Sequence, residues 1–241
     1  MVKITFVGRL LWVNTMVKMT VFTVVYNGYA IYLDAWLNNL KKQTSKPKEI
    51  IVVLGENHGV DVLKYPNVKF IFCESTVMGI LRNKAIEVKK YDKCLYFSVD
   101  DKLLPNAIKN ICKKFNQGFK AVGLKFIDEY ILGTKENDKG EVTNITQERT
   151  RDSFTPKKED IKNWRQHTVP GYIAVKGFFK YEEIDIPNYP YLFKLAKQDI
   201  SIAQTDEIVA IYKRHKNSHG DIARKNGKIA DYVNTIDEYA R

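Results

Sequence analysis

The stretch Leu95-Tyr96-Phe97-Ser98-Val99-Asp100-Asp101-Lys102-Leu103-Leu104-Pro105 ends an apolar run in two adjacent carboxylates. The run reads as a buried strand. Carboxylates at the C-terminal end of such a strand sit where open α/β sheets bind ligands. Two anions together are costly there unless a cation or a polar ligand joins them. A hard divalent cation bridging to a diphosphate is the usual partner, so the stretch points to nucleotide chemistry. Asp100 is the first candidate metal ligand, with Ser98 adding a hydroxyl directly or through water. Asp101 either orients a substrate hydroxyl or Arg82, or caps the N–H groups of the following helix.

Other residues carry chemistry less specifically. Tyr26 and Asn27 follow the run Thr20 to Tyr26 and suit a ligand-facing loop, although Asn-Gly also makes a plain turn. Arg82 has the planar fork that suits phosphate, or is a surface arginine of its helix. His215 lies among basic residues, where a neutral imidazole suits a first-row metal and a protonated one suits an anion. As a bare observation, a histidine in a basic loop is unremarkable. Glu182, Glu183 and Asp185 are general-base candidates, or simply an acidic solvated turn. Asp185 sits in an apolar setting, beside Ile184, Ile186 and Pro187. In residues 149–171, Trp164 can stack on a flat ring amid Arg149, Arg151, Lys157, Lys158, Lys162 and Arg165. A solvated helix with a buried Trp164 accounts for that region equally well.

These residues need elements to hold them. Thr20–Tyr26, Glu49–Leu54, Val68–Cys73 and Lys93–Val99 read as buried strands. Tyr32, Leu33, Trp36, Leu37 and Leu40 recur at helical spacing, so 30–42 is predicted to be an amphipathic helix ended by Thr44-Ser45-Lys46-Pro47. Helices are also predicted over 78–90 and 105–115. The alternation implies an α/β fold, a mostly parallel central sheet flanked by helices. Beyond it, 119–132 is strand-like, 133–150 polar and turn-rich, 171–175 a short strand, 191–198 a helix and 208–213 a strand. Residues 218–241 read as a polar helical tail.

At 241 residues with a 44% hydrophobic fraction, the chain fits one domain with a real core. No apolar run is long enough to span a bilayer. Arg9 interrupts the apolar stretch Phe6 to Val13 and no small-residue cleavage site follows, so it does not read as a signal peptide. Met16 and Met19 precede the first strong strand, which makes 1–18 a dispensable extension in this reading. Cys73, Cys94 and Cys112 form no CxxC pair and read as buried free thiols of a reducing compartment. The expected location is the cytoplasm, that of a host if the chain is phage-encoded. The net charge of +11 favours polyanionic partners, or reflects lysines that only solvate helix faces.

Five segments in order resemble family-2-type glycosyltransferases of the GT-A fold, over about Thr20 to Ser218. They are Val24-Val25-Tyr26-Asn27; Leu37, Leu40, Gln43 and Thr44 leading into Glu49-Ile50-Ile51-Val52-Val53; Gly79-Ile80-Leu81-Arg82-Asn83-Lys84-Ala85; the acidic strand end; and Ile211-Tyr212-Lys213-Arg214-His215-Lys216-Asn217-Ser218. The resemblance implies a single GT-A domain over 19–217, with a nucleotide-sugar half (19–118) and an acceptor half (119–217). It implies metal-dependent transfer of a hexose from a nucleoside-diphosphate sugar, a uridine one, with Mn²⁺ or Mg²⁺. Implied donor-binding residues are Val25, Tyr26, Asn27, Glu56, Arg82, Ser98, Val99 and Asp100. The acceptor side falls to Trp164, Arg165 and His167, catalysis to Asp185, Glu183 and Asp101, and the metal to Asp100 and His215. The acceptor suggested by the charge is a polyanion, modified DNA or a wall polymer.

Three departures stand out. Leu54 replaces the aspartate that reads the base in the family, with Glu56 the nearest acid. Ser98-Val99-Asp100 replaces Asp-x-Asp. Pro187-Asn188-Tyr189 replaces the late acidic pair. They favour an alternative, an inactive GT-A scaffold that binds nucleic acid. A nucleotidyltransferase is disfavoured because no Gly-rich phosphate loop with lysine follows the first strand.

Overall fold

Met19, Val21 and Val25 are fully buried and Phe22 and Val24 nearly so. Strand β1 (Thr15–Val25) therefore meets apolar neighbours on both faces, as a central parallel strand must. The computed structural model describes residues 15–136, 142–153, 155–157 and 171–214. They form one nine-stranded sheet with helices packed against it.

Strands β1, β2 (Ser45–Leu54), β3 (Lys69–Phe72) and β4 (Lys93–Tyr96) pair in parallel in the order β3-β2-β1-β4. The chain moves outward from β1 through helix α1 (Leu33–Lys41) to β2 and β3. It then returns through α2 (Met78–Val88) to place β4 on the other side of β1. The strand order thus reverses between β1 and β4, and a crevice opens beyond their C-terminal ends.

The second half completes the sheet in mixed sense. After the two-residue strand β5 (Lys102–Leu103) comes helix α3 (Ala107–Asn116), then the long strand β6 (Ala121–Glu136) and its hairpin partner β7 (Val142–Arg151). Strand β8 (Ile173–Lys176) runs antiparallel between β4 and β6. Helix α4 (Asn188–Lys197) leads to β9 (Ile202–Arg214), parallel to β6 and antiparallel to β5.

Several boundaries differ from the sequence reading for definable reasons. Residues 15–18, expected to be dispensable, are part of β1, with Thr15 opposite Ser45. Strand β2 begins before Pro47, which the sequence reading took as a helix stop. Pro47 lies opposite Val17, where the register shifts, and a residue without N–H is tolerated at such a break. Within 133–150, expected to be turn-rich, residues 133–136 instead end β6 and residues 142–150 belong to β7. Asn144 to Thr150 are exposed, so β7 could be polar and still pair. Helix α4 starts at Asn188 rather than at Tyr191 because Pro190 falls in the first turn, where its missing N–H costs nothing. The predicted tail 218–241 lies outside the described residues.

Candidate functional site

The first wall of the crevice is the end of β1. Gly55 N–H donates to Val25 O at 2.9 Å and Asn27 N–H to Glu56 O at 3.2 Å, so the loops after β1 and β2 are tied together. Asn27 (φ 45°) and Gly28 (φ 85°) turn the chain in the left-handed region. Gly55 is required because a Cβ there would lie 2.8 Å from Ser75 O. Asn27 and Glu56 are exposed, whereas Val25 is buried. The Tyr26 side chain is only 6% exposed and its ring lies parallel to that of Tyr29. Burial raises its hydroxyl pKa well above the usual phenol value, with the charges of Tyr29, Tyr96 and Asp185 adding to the effect.

The second wall is the end of β4. Phe97 N–H still bonds to Phe22 O at 2.9 Å, and the chain leaves the sheet at Ser98. The Ser98 hydroxyl donates to Asp100 Oδ1 at 2.5 Å, while Val99 turns into the core. Side chains of α1 and the residues just after it hold the far side of this loop. Asn39 bonds both backbone groups of Leu103, and Gln43, 1% exposed, donates to Leu104 O at 2.9 Å.

Asp101 neither caps the following helix nor meets Arg82. Helix α3 is capped at Asn106 with no side-chain bond, and Arg82 bonds elsewhere. Instead Asp101 Oδ1 accepts Lys213 N–H at 2.6 Å, and Oδ2 accepts the Tyr172 hydroxyl. Burial pushes its carboxyl pKa up, and the neighbouring charge of Asp100 pushes it further. Asp101 is thus a joint between the acidic loop and β9. Continuing the β5–β9 register, Lys102 opposite Ile211, brings Lys213 opposite Asp100. Among the described residues no carboxylate lies within ion-pair distance of Lys213. This cation was passed over in the sequence, where only its place between Tyr212 and Arg214 hinted at it.

Among the described residues, no group of three His, Cys, Asp or Glu is placed to hold a metal ion. Mg²⁺-type sites that lean on substrate phosphates and water require only one or two carboxylates. Asp100 with the Ser98 hydroxyl meets that smaller requirement, since both oxygens of Asp101 are engaged. His215, the second expected metal ligand, lies outside the described residues.

Arg82, expected to meet phosphate or Asp100, is 4% exposed. Its guanidinium lies 3.6 Å from the centroid of the Tyr96 ring and 5.0 Å from that of Tyr181, and Nη1 donates to Asn188 Oδ1 at 2.5 Å. Its neighbour Asn83 clasps Tyr181, donating to Tyr181 O at 3.0 Å and accepting Tyr181 N–H at 2.8 Å. The pair thus anchors the segment that leads into α4.

The acidic turn after Tyr181 packs on the first turn of α2. Gly79 N–H donates to Ile184 O at 3.0 Å, and a Cβ on Gly79 would lie 1.8 Å from Glu182 O. Glu182 pairs with Lys194 at 3.0 Å, Glu183 is exposed, and Asp185 is half-buried near Tyr26. On the acceptor side, Trp164, Arg165 and His167 lie outside the described residues. Arg149 is exposed on β7. Arg151 and Arg214 clasp the fully buried Asp128 of β6 at 2.8 Å and 2.7 Å.

A parallel four-strand nucleotide-type half joined to a mixed second half, with an acidic loop at the β1–β4 crevice, is the GT-A fold of glycosyltransferases. No protein-family model and no curated protein matches the sequence. Solved structures match in fold. S. aureus TarS 1-349 in complex with UDP-GlcNAc superposes with a TM-score of 0.58 at 17% identity, over 84% of this chain and 60% of that one. The mannosyltransferase PcManGT from Pyrobaculum calidifontis, in complex with GDP-Man and Mn²⁺, superposes with a TM-score of 0.57 at 12% identity, over 90% of this chain and 64% of that one. The chain thus spans about 60% of the length of these structures, and at such identities the likeness is one of fold. No helix among the described residues is long and apolar enough to cross a membrane.

Proposed function

We propose that the chain is a glycosyltransferase that moves a hexose from a nucleoside-diphosphate sugar, a uridine one, to an acceptor hydroxyl. The observation that carries this reading is the convergence at the β1–β4 crevice. There the linked loops after β1 and β2 face the Ser98–Asp101 loop. The fold shared with nucleotide-sugar complexes supports it. Residues 19–118 would hold the donor and 119–217 the acceptor.

In this reading Val25, Tyr26 and Asn27 carry the backbone against base and ribose, with Glu56 the acid beside the base. Ser98, Val99 and Asp100 face the diphosphate, and Lys213 adds a charge opposite Asp100. Asp100 and Ser98 would hold a divalent cation, Mn²⁺ or Mg²⁺, and His215 would complete the set. Bound there, the ion would supply positive charge to the departing diphosphate. Asp101 keeps the loop and β9 in register. Asp185, with Glu183 beside it, would take the acceptor proton. The net charge of +11 suits a polyanionic acceptor such as modified DNA or a wall polymer, reached through Trp164, Arg165 and His167. We place the reaction in the cytoplasm, in keeping with three free thiols.

The test is a thermal-shift series with UDP, GDP, CDP and ADP, each with and without Mn²⁺. A ligand that binds only the folded state raises apparent stability. A Mn²⁺-dependent shift with UDP alone is expected. One observation favours a second reading, an inactive scaffold that binds nucleic acid: Asn188, not an acid, opens α4. No shift with any nucleotide, together with salt-sensitive DNA binding, would select it.

A further inference from the structure

The crevice occupies one end of the parallel strands. At the other end, the base, those strands begin and the helices between them finish. There Lys93 of β4 stands directly opposite Lys176 of β8. Ala121 pairs with Val175, and Lys176 N–H donates to Lys120 O at 2.7 Å, so Lys120 stands opposite Lys176 on its other side. Residues directly opposite in antiparallel strands share a face with Cβ atoms about 5 Å apart, and like charges so placed are destabilising. Lys93 lies against the Phe115 ring and the Asn116 side chain, whereas Lys120 and Lys176 are exposed. Among the described residues, no carboxylate lies within ion-pair distance of any of the three. A row of like charges across β4, β8 and β6 is relieved when an anion from outside the chain lies over it.

The same end gathers further lysines. Exposed Lys18 and Lys48 flank the register break between β1 and β2, and exposed Lys90 follows α2. Against them stand Glu49 and the exposed Asp92 and Asp199. Glu49 is already engaged by the Thr20 hydroxyl at 2.6 Å, Lys90 N–H at 2.7 Å and Lys69 at 3.8 Å. Two apolar side chains project nearby. Phe178, just past the end of β8, is 58% exposed, and Val88, at the end of α2, is 36% exposed. A Lys180–Glu87 pair at 2.7 Å ties their two segments together.

The chemistry of these residues separates the candidate polyanions. The described arginines, Arg82, Arg149, Arg151 and Arg214, all lie away from the base. Arginine is the residue of bidentate phosphate and base contacts, whereas lysine is a point charge that suits a diffuse anionic surface. An aromatic side chain projecting from a lysine field suits the boundary between headgroups and acyl chains. We propose that the base of the sheet docks on an anionic lipid membrane, with Lys93, Lys120 and Lys176 over the headgroup phosphates and Phe178 entering the interface. The inference does not rest on the glycosyl-transfer reading. Lys93 lies roughly 16 Å from Ser98 at the rise of a strand, so a docked chain turns its crevice away from the lipid.

The experiment is flotation of the full chain with vesicles of phosphatidylcholine alone and of an equal mixture with phosphatidylglycerol. Binding to the mixture only is expected, weakening as salt is raised. The double variant Lys120→Glu/Lys176→Glu should partition about tenfold more weakly or worse. Both positions are exposed, so its thermal stability should match the parent's. Lys64→Glu/Lys109→Glu makes the same change in net charge at exposed positions outside the base and should retain most of the binding. Phe178→Ser should weaken binding and keep its salt dependence. Equal partition into both vesicles, parental binding by the base variant, or an equal loss in the two double variants would each overturn the proposal. So would capture of duplex DNA through Lys120 and Lys176 with no vesicle binding, which names a nucleic acid instead. A nucleotide-dependent thermal shift without vesicle binding removes the docking surface and leaves the transferase reading. Vesicle binding without any nucleotide shift does the reverse.

Discussion

The backbone N–H of Lys213 bonds to the Asp101 carboxylate at 2.6 Å across 112 residues of chain. One buried side chain thereby fixes the acidic loop of the first half to the last described strand of the second. Asp101→Ala would leave that N–H and the Tyr172 hydroxyl without acceptors, at about 1–3 kcal/mol each, partly offset by removal of a buried carboxylate. A net loss of about 2 kcal/mol in urea unfolding is expected, with Asp101→Asn losing less because it keeps an acceptor for Lys213. An Ala variant as stable as the parent would show that the joint holds nothing.

Asp128 ties β6, β7 and β9 through Arg151 and Arg214 while itself having no exposure. Breaking a buried pair costs about 3–5 kcal/mol. The arginines are 30% and 35% exposed, so Asp128→Ala should lose nearer about 2–3 kcal/mol. Urea unfolding measures it, and a change within error would mean that the arginines rehydrate freely.

Gly79 has no room for a side chain against Glu182 O. Gly79→Ala should cost about 1–3 kcal/mol and release the 182–185 turn. Limited proteolysis should then cut at that turn in the variant and not in the parent. Equal resistance would show that α2 shifts to absorb the methyl.

Asp100→Ala should abolish the Mn²⁺-dependent part of the UDP thermal shift and spare the metal-free part, which depends on the loops after β1 and β2. A variant that keeps its full Mn²⁺ response would move the ion away from Asp100.

Lys113 and Lys114 hold the Asp206 carboxyl down, at about 2. Its folded value lies below the unfolded one of about 3.9. Its contribution is therefore present above the unfolded value and disappears as pH falls toward the folded one. Asp206→Asn should show a small Tm deficit at neutral pH, small because the carboxylate is exposed. That deficit should vanish in strong acid and shrink in high salt. Persistence in acid would rule out the ion pairs as its source.

Local pattern alone determined the parallel core. The runs at 20–26, 49–54 and 93–99 are apolar enough to be buried on both faces, and the helices between them follow a 3.6-residue period. The acidic stretch 98–101 was legible for a related reason, because carboxylates that close a buried strand need a cation or a polar group beside them. The sequence could not show how those carboxylates differ. Asp100 and Asp101 are chemically identical, and only the approach of Tyr172 and β9 buries one as a joint and leaves the other half-exposed. Nor could it show that Arg82 stacks on Tyr96 and Tyr181, far apart in the chain, instead of facing solvent from its helix. The β6–β7 hairpin was hidden because a strand on an exposed edge needs no apolar face, so its residues carry the composition of a loop. Periodicity records whether a position is buried, whereas the partner a polar side chain meets is set by contacts between distant segments, which only the folded chain brings together.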